Sequence, residues 1–228
     1  MTVEVDARGR QVMGPGDHAL PDPGPFVAAD VLKYCEPAHG LWVDLGSGVG
    51  SVGLALARAS GGVILLVDPD DQALRQAADR ARQERIGGRV ATVVGQAEAL
   101  PIRTEAAELV VSRGSVFFWS DPSAGLREVY RVLRVGGKAM VGGGLGTEYP
   151  KWARQEFARR RLEAERSRGA ESYTEFQRLR RPSTFGAWAQ GAGLGSFEVF
   201  GDEGPSPDAS FGGLGVWLRF TKGCANDR

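Results

Sequence analysis

Five short, unbroken apolar runs constrain this chain more than any other feature: Leu41–Leu45, Val63–Val67, Val90–Val94, Leu109–Val111 and Ala139–Val141. The stretches between them, Ser51–Ser60, Asp70–Ile86 and Pro122–Leu133, are long enough for helices, and an aspartate opens or precedes the last two, as a helix cap would. Strands that are apolar at every residue must be covered on both faces, which predicts a doubly wound α/β sheet with helices on each side. Ahead of the first run, Phe26–Glu36 carries apolar residues at helical spacing until Pro37 stops it. Beyond the fifth, Trp152–Arg181 is charged and helical, and Ser183–Ala192 reads as a second short helix. The final runs, Phe197–Phe200 and Val216–Phe220, joined by a Gly/Pro-rich loop, read as a terminal antiparallel hairpin that brings the sheet to seven strands. From Gly14 to Pro25, seven of twelve residues are glycine or proline, a composition that excludes regular structure. The expected organisation is a flexible arm or lid over residues 1–25 and a single domain over 26–228, with a helical insert at about 151–181.

Composition removes several functions. The 28 basic and 28 acidic side chains among 228 residues cancel, so a broad phosphate-binding face is not expected and nucleic acid is an unlikely partner. Cys35 and Cys224 stand far apart with no histidine near either, which excludes a zinc ribbon or redox pair, predicts no metal and fits a reducing compartment. Met1–Arg10 has no apolar core for a secretory leader, and no stretch approaches the roughly 20 apolar residues of a membrane span. The expected compartment is the cytoplasm, with no membrane contact. Nothing in the sequence speaks to oligomeric state.

The chemistry is concentrated where strands end. Asp44-Leu45-Gly46-Ser47-Gly48-Val49-Gly50 places a carboxylate and three alternate glycines between the first strand and the next helix, where positive φ and close ligand approach need glycine. Gly48-Val49-Gly50-Ser51-Val52-Gly53 also satisfies the dinucleotide fingerprint, but a fingerprint should begin as the strand ends, at Gly46, and in that frame its third glycine is Ser51. The second strand ends in Asp68, 22 residues after Gly46, where an acid can accept from both hydroxyls of a ribose. Asp68 could equally cap the following helix, which has Pro69 at its first turn, although Asp70 can cap it without help.

Two further elements follow in order: Gly95-Gln96-Ala97-Glu98-Ala99-Leu100-Pro101 after the third strand, and Leu133-Arg134-Val135-Gly136-Gly137 before the fifth. With the glycine loop and Asp68, these make the stretch from about Val43 to Gly143 resemble a class I S-adenosyl-L-methionine-dependent methyltransferase, a Rossmann-like fold. The resemblance implies a methyltransferase enzyme with S-adenosyl-L-methionine as cofactor. It implies that Asp44, Gly46, Gly48 and Gly50 line the methionine and ribose side, that Asp68 holds the ribose, that Gln96, Ala97 and Glu98 edge the adenine, and that Ser47, Pro69, Ser112 and Arg113 are further cofactor contacts. Many relatives have aspartate where Gln96 stands. Ser112-Arg113-Gly114-Ser115-Val116-Phe117-Phe118-Trp119, after strand four, is similar to a poorly characterised bacterial and archaeal subgroup with an S-R-G-S-x-F-F-W motif.

Ser112 and Arg113 fall at the carboxyl end of a strand, where open α/β sheets bind ligands. Arg113 can pair with an anionic substrate group, with the methionine carboxylate of the cofactor, or, structurally, with Asp121. Ser115, Phe118 and Trp119 are the candidate substrate contacts. A base is optional for an in-line methyl transfer. The weak catalytic candidates are His18, Arg113 and Tyr149, with Tyr34 as a further orienting group and His39 as a surface turn residue.

The expected acceptor is a small molecule, lodged between the end of strand four, Gly142–Gly146 and the insert, with the arm around His18 as a lid; glycines at 142–144 would leave it room. A D/N-P-P-Y element for amide or exocyclic nitrogens is missing, as is a cysteine placed for cytosine methylation. Two other functions stay open. One is an RNA methyltransferase, or a non-catalytic binding module, using the insert, whose ten basic residues face five acids. The other is an NAD-dependent oxidoreductase using the shifted fingerprint.

Overall fold

A computed structural model describes residues 4–5, 11–12, 19–168, 177–204 and 214–223. Its main sheet has seven strands: β1 Leu41–Leu45, β2 Val63–Asp68, β3 Val90–Val94, β4 Ala107–Arg113, β5 Leu133–Gly143, β6 Glu198–Gly201 and β7 Val216–Thr221. Their order is β3-β2-β1-β4-β5-β7-β6. The first five are parallel; β7 runs antiparallel to β5, and β6 antiparallel to β7. The helices are α1 Gly24–Cys35, α2 Ser51–Ala59, α3 Asp71–Gln83, α4 Pro122–Val132, α5 Lys151–Arg168 and α6 Pro182–Gly191. The doubly wound α/β sheet expected from the apolar runs is the observed fold.

Alternation along the strands divides the interior in two. Ile64, Leu66, Leu109, Met140 and Trp217 pack under α1–α3. Val43, Leu45, Val110, Val141 and Leu218 pack with Leu126 and Val129 of α4 and Phe185 of α6. β3 departs from the expected double cover: it is the outermost strand, and Val94 is half exposed. Leu133–Gly137, which the sequence places before strand five, is part of β5, with a register shift against β4 and Gly136 at φ 78°.

The expected boundary at residue 25 also shifts. α1 begins at Gly24, after an anchor in which Asp22 Oδ1 accepts from the Gly24 N–H at 2.9 Å and from the Ser51 hydroxyl. Residues 19–25 thus belong to the folded body, whereas His18 lies outside the described residues. Of the expected insert, 169–176 also lie outside them.

Candidate cofactor site

Sheet order reverses between β1 and β4, and open α/β sheets bind ligands outside the carboxyl ends of strands at such a switch. A cavity of about 530 Å³ lies there, within the range of small-molecule sites. Of the expected site residues, Gly46, Gly48, Asp68, Pro69, Gln96, Ala97, Glu98, Arg113, Ser115, Phe118 and Trp119 all line it. Gly114 and Ser120 line it as well, as do Leu45 and Gly95, which the strand-end pattern brackets without singling out.

The glycine loop divides its work among its members. Gly46, Gly48 and Gly50 have φ of 67°, 51° and 79°, a left-handed path that side-chain-bearing residues rarely take. A Cβ at Gly46 would overlap Ser115, whereas one at Gly48 would meet nothing within 4 Å, so the open space above this turn belongs to the cavity. At Gly53 a Cβ would overlap Leu66, so this glycine lets α2 lie against β2. Close helix–strand packing is the task of the third glycine in a dinucleotide fingerprint. The register beginning at Gly48 therefore supplies that packing glycine, not Ser51, whose hydroxyl is bonded to Asp22.

Asp68 presents its carboxylate to the cavity. Its Oδ2 accepts from the Gly48 N–H at 2.7 Å and its Oδ1 from the Asp70 N–H at 2.9 Å. Asp70, not Asp68, caps α3, accepting from the N–H groups of Gln72 and Ala73. Glu98 does more than edge the pocket: its Oε1 accepts from the Ser120 and Asp121 N–H groups at 2.7 and 3.2 Å, tying the loop after β3 to the loop before α4.

Asp44, Ser47, Ser112 and Gly50 lie outside the cavity lining. Asp44 is buried near the end of β1, accepting from the Gly53 N–H at 2.7 Å, and burial pushes its carboxyl up to about 7. That Gly53 bond and the nearby Arg113 charge oppose the rise. Ser112 is fully buried, with its hydroxyl 2.6 Å from that of Ser115. Ser115 Oγ lies 3.1 Å from the Leu45 carbonyl and accepts from Trp119 Nε1 at 3.1 Å. With its single proton donated to Leu45, Ser115 must accept from Ser112. The hydroxyl pair thereby fixes the indole on the cavity wall, with its six-membered ring beside Gly125.

Arg113 pairs with no carboxylate among the described residues, and the Asp121 alternative fails because Asp121 caps α4 and approaches Arg127. Its Nε donates to the Gly144 carbonyl at 2.8 Å. Burial lowers its pKa, opposed first by Asp22, the partner of Ser51 at the start of α2. Arg113 thus marks the α2 end of the cavity, away from Gln96 and Glu98.

Other candidates fall away. Tyr149 is buried outside the cavity lining, its hydroxyl donating to the Pro21 carbonyl at 2.9 Å and its ring edge-on to Phe26. It anchors the chain ahead of α1 rather than serving catalysis. Tyr34 packs edge-on to Phe200, and His39 is exposed, as expected of a turn residue. Phe117 turns inward onto Phe185 while Phe118 stands 83% exposed at the mouth.

The expected room at Gly142–Gly144 does not exist. A Cβ at these positions would overlap the Val216 carbonyl, the Phe117 ring and the Asp202 carboxylate in turn. The glycines admit protein atoms rather than an acceptor, and among the described residues none of α5 lines the cavity.

Two observations fit an elongated nucleoside cofactor: the unfilled space over Gly48 beside the Asp68 carboxylate, and the Ser47 hydroxyl, buried without a hydrogen-bond partner in the same turn. Fold and site together define the nucleoside-binding class of doubly wound α/β proteins. Residues 43–141 match the family model of a methyltransferase domain.

The spinach 2-methyl-6-phytyl-1,4-hydroquinone methyltransferase, a chloroplast protein, is 39% identical over 124 residues, 52% of this chain and 33% of that one. The chain spans less than half the length of the plant relatives it matches. A crystal structure from Methanococcus maripaludis, provisionally described as an S-adenosyl-L-methionine-dependent methyltransferase, is 29% identical with a TM-score of 0.70, covering 89% of this chain and 86% of that one. The 4+2 cyclase SpnF is 26% identical with a TM-score of 0.50, over 52% of this chain and 44% of that one.

Proposed function

We propose that the chain transfers a methyl group from S-adenosyl-L-methionine to a small-molecule acceptor by in-line displacement. The observation that carries this reading is the single cavity wall running from Asp68 and Gln96 past Gly48 to Arg113, Ser115 and Trp119. In this assignment Asp68 accepts from the ribose hydroxyls. Pro69, Gln96 and Ala97 border the adenine, and Glu98 holds the loop that encloses it. Gly46, Ser47 and Gly48 follow the methionine, and Arg113 takes its carboxylate at the α2 end. The cofactor supplies a methyl group on a positively charged sulfur.

Ser115, Phe118 and Trp119 then stand where an acceptor would approach. Their aromatic surface suits a flat, largely apolar molecule, and the spinach relative's name, a hydroquinone methyltransferase, supports that direction. No histidine or cysteine lines the cavity among the described residues, so alignment is left as the main source of acceleration, worth about 7–11 kcal/mol for a well-oriented pair. The S-R-G-S-x-F-F-W subgroup remains our reading of the loop after β4, carried by Ser112–Trp119 alone. We place the enzyme in a reducing, cytoplasm-like compartment on its thiol content.

Calorimetry with S-adenosylhomocysteine and NAD, followed by methyl-labelled cofactor turnover on a panel of phenolic and other flat acceptors, tests the assignment. Binding of S-adenosylhomocysteine and labelled product are expected. NAD binding without S-adenosylhomocysteine binding would move the chain to the oxidoreductases. Because the SpnF match ties this fold to a cyclase, a second reading is a module that binds the cofactor without transferring its methyl group. Cofactor binding with no labelled product across the panel would favour it.

A further inference from the structure

The hairpin formed by β6 and β7 and the start of α5 meet at a buried ion pair behind the cofactor cavity. Asp202, directly after β6, is 2% exposed. Its Oδ2 accepts from Arg154 of α5 at 2.9 Å, and its Oδ1 accepts from Trp217 Nε1 of β7 at 3.2 Å. Both oxygens lie 3.3 Å from the Leu145 N–H. Arg154 reaches on to donate to the Gly146 carbonyl at 2.5 Å. The ion pair thus grips the strand exit at Leu145 and Gly146. Side chains are excluded at Gly144 and Gly215, since a Cβ at either would overlap the Asp202 carboxylate.

Between β5 and this grip lies the Gly144 carbonyl, the acceptor for Arg113 Nε at 2.8 Å. An arginine side chain has several rotatable bonds, and a guanidinium that must present its remaining N–H groups to a ligand needs one of them fixed. We propose that Asp202 and Arg154 are positioning residues for Arg113: they hold the Gly144 carbonyl in place, and through it the guanidinium at the α2 end of the cavity. A buried pair serving only the fold would be replaceable by apolar residues of similar volume. One that orients a binding group must affect a particular part of the ligand. The inference rests on the proposed function, in which Arg113 takes the cofactor's carboxylate.

The test compares S-adenosylhomocysteine with 5′-methylthioadenosine, which keeps the nucleoside and lacks the amino-acid end. Arg113→Met should weaken the first by about tenfold or more and leave the second within twofold. Asp202→Asn, which keeps an acceptor oxygen but not the charge, should reproduce that selective loss. The double variant should bind no worse than Arg113→Met alone, because residues acting through one contact are not additive. Arg154→Gln, made at a partly exposed side chain, should give a smaller loss of the same selectivity and carries the test if Asp202→Asn does not fold. Equal weakening of both ligands, additive losses, or no loss in a folded Asp202 or Arg154 variant would overturn the positioning role. An unchanged preference in Arg113→Met would overturn the assignment of Arg113 and the positioning role with it. Wild-type protein binding neither ligand would instead defeat the proposed cofactor.

Discussion

Two carboxylates at the ends of adjacent strands differ in what surrounds them. Asp68 is fixed by N–H donors from Gly48 and Asp70 and faces the cavity. Asp68→Ala removes hydrogen bonds to a charged group and should weaken S-adenosylhomocysteine by about 1–3 kcal/mol, read by calorimetry. An unchanged affinity would leave Asp68 with the glycine turn as its only task. Asp44 is buried beneath the same loop, and burial raises its carboxyl to about 7, against an ordinary value of 3.8. Between these two values the folded protein holds a proton that the unfolded chain has released. The folded state binds more protons there, so Asp44 makes stability fall as pH rises from about 4 to about 7, and level off above. Asp44→Asn keeps an acceptor for the Gly53 N–H and should flatten that slope in urea titrations from pH 4.5 to 8. A slope identical to wild type would show that Asp44 is ionised throughout the range.

At the scale of elements, similar-looking glycines play opposite parts. Gly48→Ala has free space for its methyl group but must hold φ near 51°, which costs about 1–2 kcal/mol and intrudes on the cavity. Cofactor affinity should drop more than thermal stability. At Gly144 the alanine methyl would overlap Asp202, so Gly144→Ala should lose about 1–3 kcal/mol of stability or more, measured by urea unfolding. A fully stable Gly144→Ala would mean that the Asp202 carboxylate can move aside.

That contrast also separates what the sequence discloses from what it hides. The parallel strands, the Asp44–Gly50 turn and Asp68 are legible because each is a local pattern: an apolar run, then glycines, then an acid. The filling of Gly142–Gly144 is not, because Val216 and Asp202 reach those positions only once β7 inserts between β5 and β6, and Phe117 reaches them only from the turn after β4. The same holds for Arg113, whose partner is a backbone carbonyl 31 residues away, and for Tyr149, bonded to Pro21 across 128 residues. Side-chain chemistry marked both as candidates; tertiary contacts divided them.

For the whole molecule, the question is whether the arginine-rich α5 makes this a nucleic-acid enzyme. Within the described part of α5, Arg159 bonds to Glu156 and Glu163, and Arg160 to Glu156, at 2.6–2.8 Å, while Arg154 is taken up by Asp202. The hydrogen bonds from Arg159 and then Arg160 pull the Glu156 carboxyl down to about 2, so the cluster stays paired at neutral pH. A phosphate backbone would have to break these pairs before gaining contacts, and the formal charge of zero supplies no compensating long-range field. RNA should therefore bind in the micromolar range or weaker, with log K falling against log salt at a slope of about −2 or shallower, as for only two or three phosphate contacts. Fluorescence anisotropy with a structured RNA between 50 and 300 mM salt measures both quantities. Arg159→Gln should leave the weak binding nearly unchanged, because that guanidinium is already committed to two glutamates. Submicromolar affinity at physiological salt, lost together with a unit of slope in Arg159→Gln, would show that RNA outcompetes Glu156 and Glu163 for the helix. In that case RNA, rather than a small flat molecule, becomes the acceptor to test first.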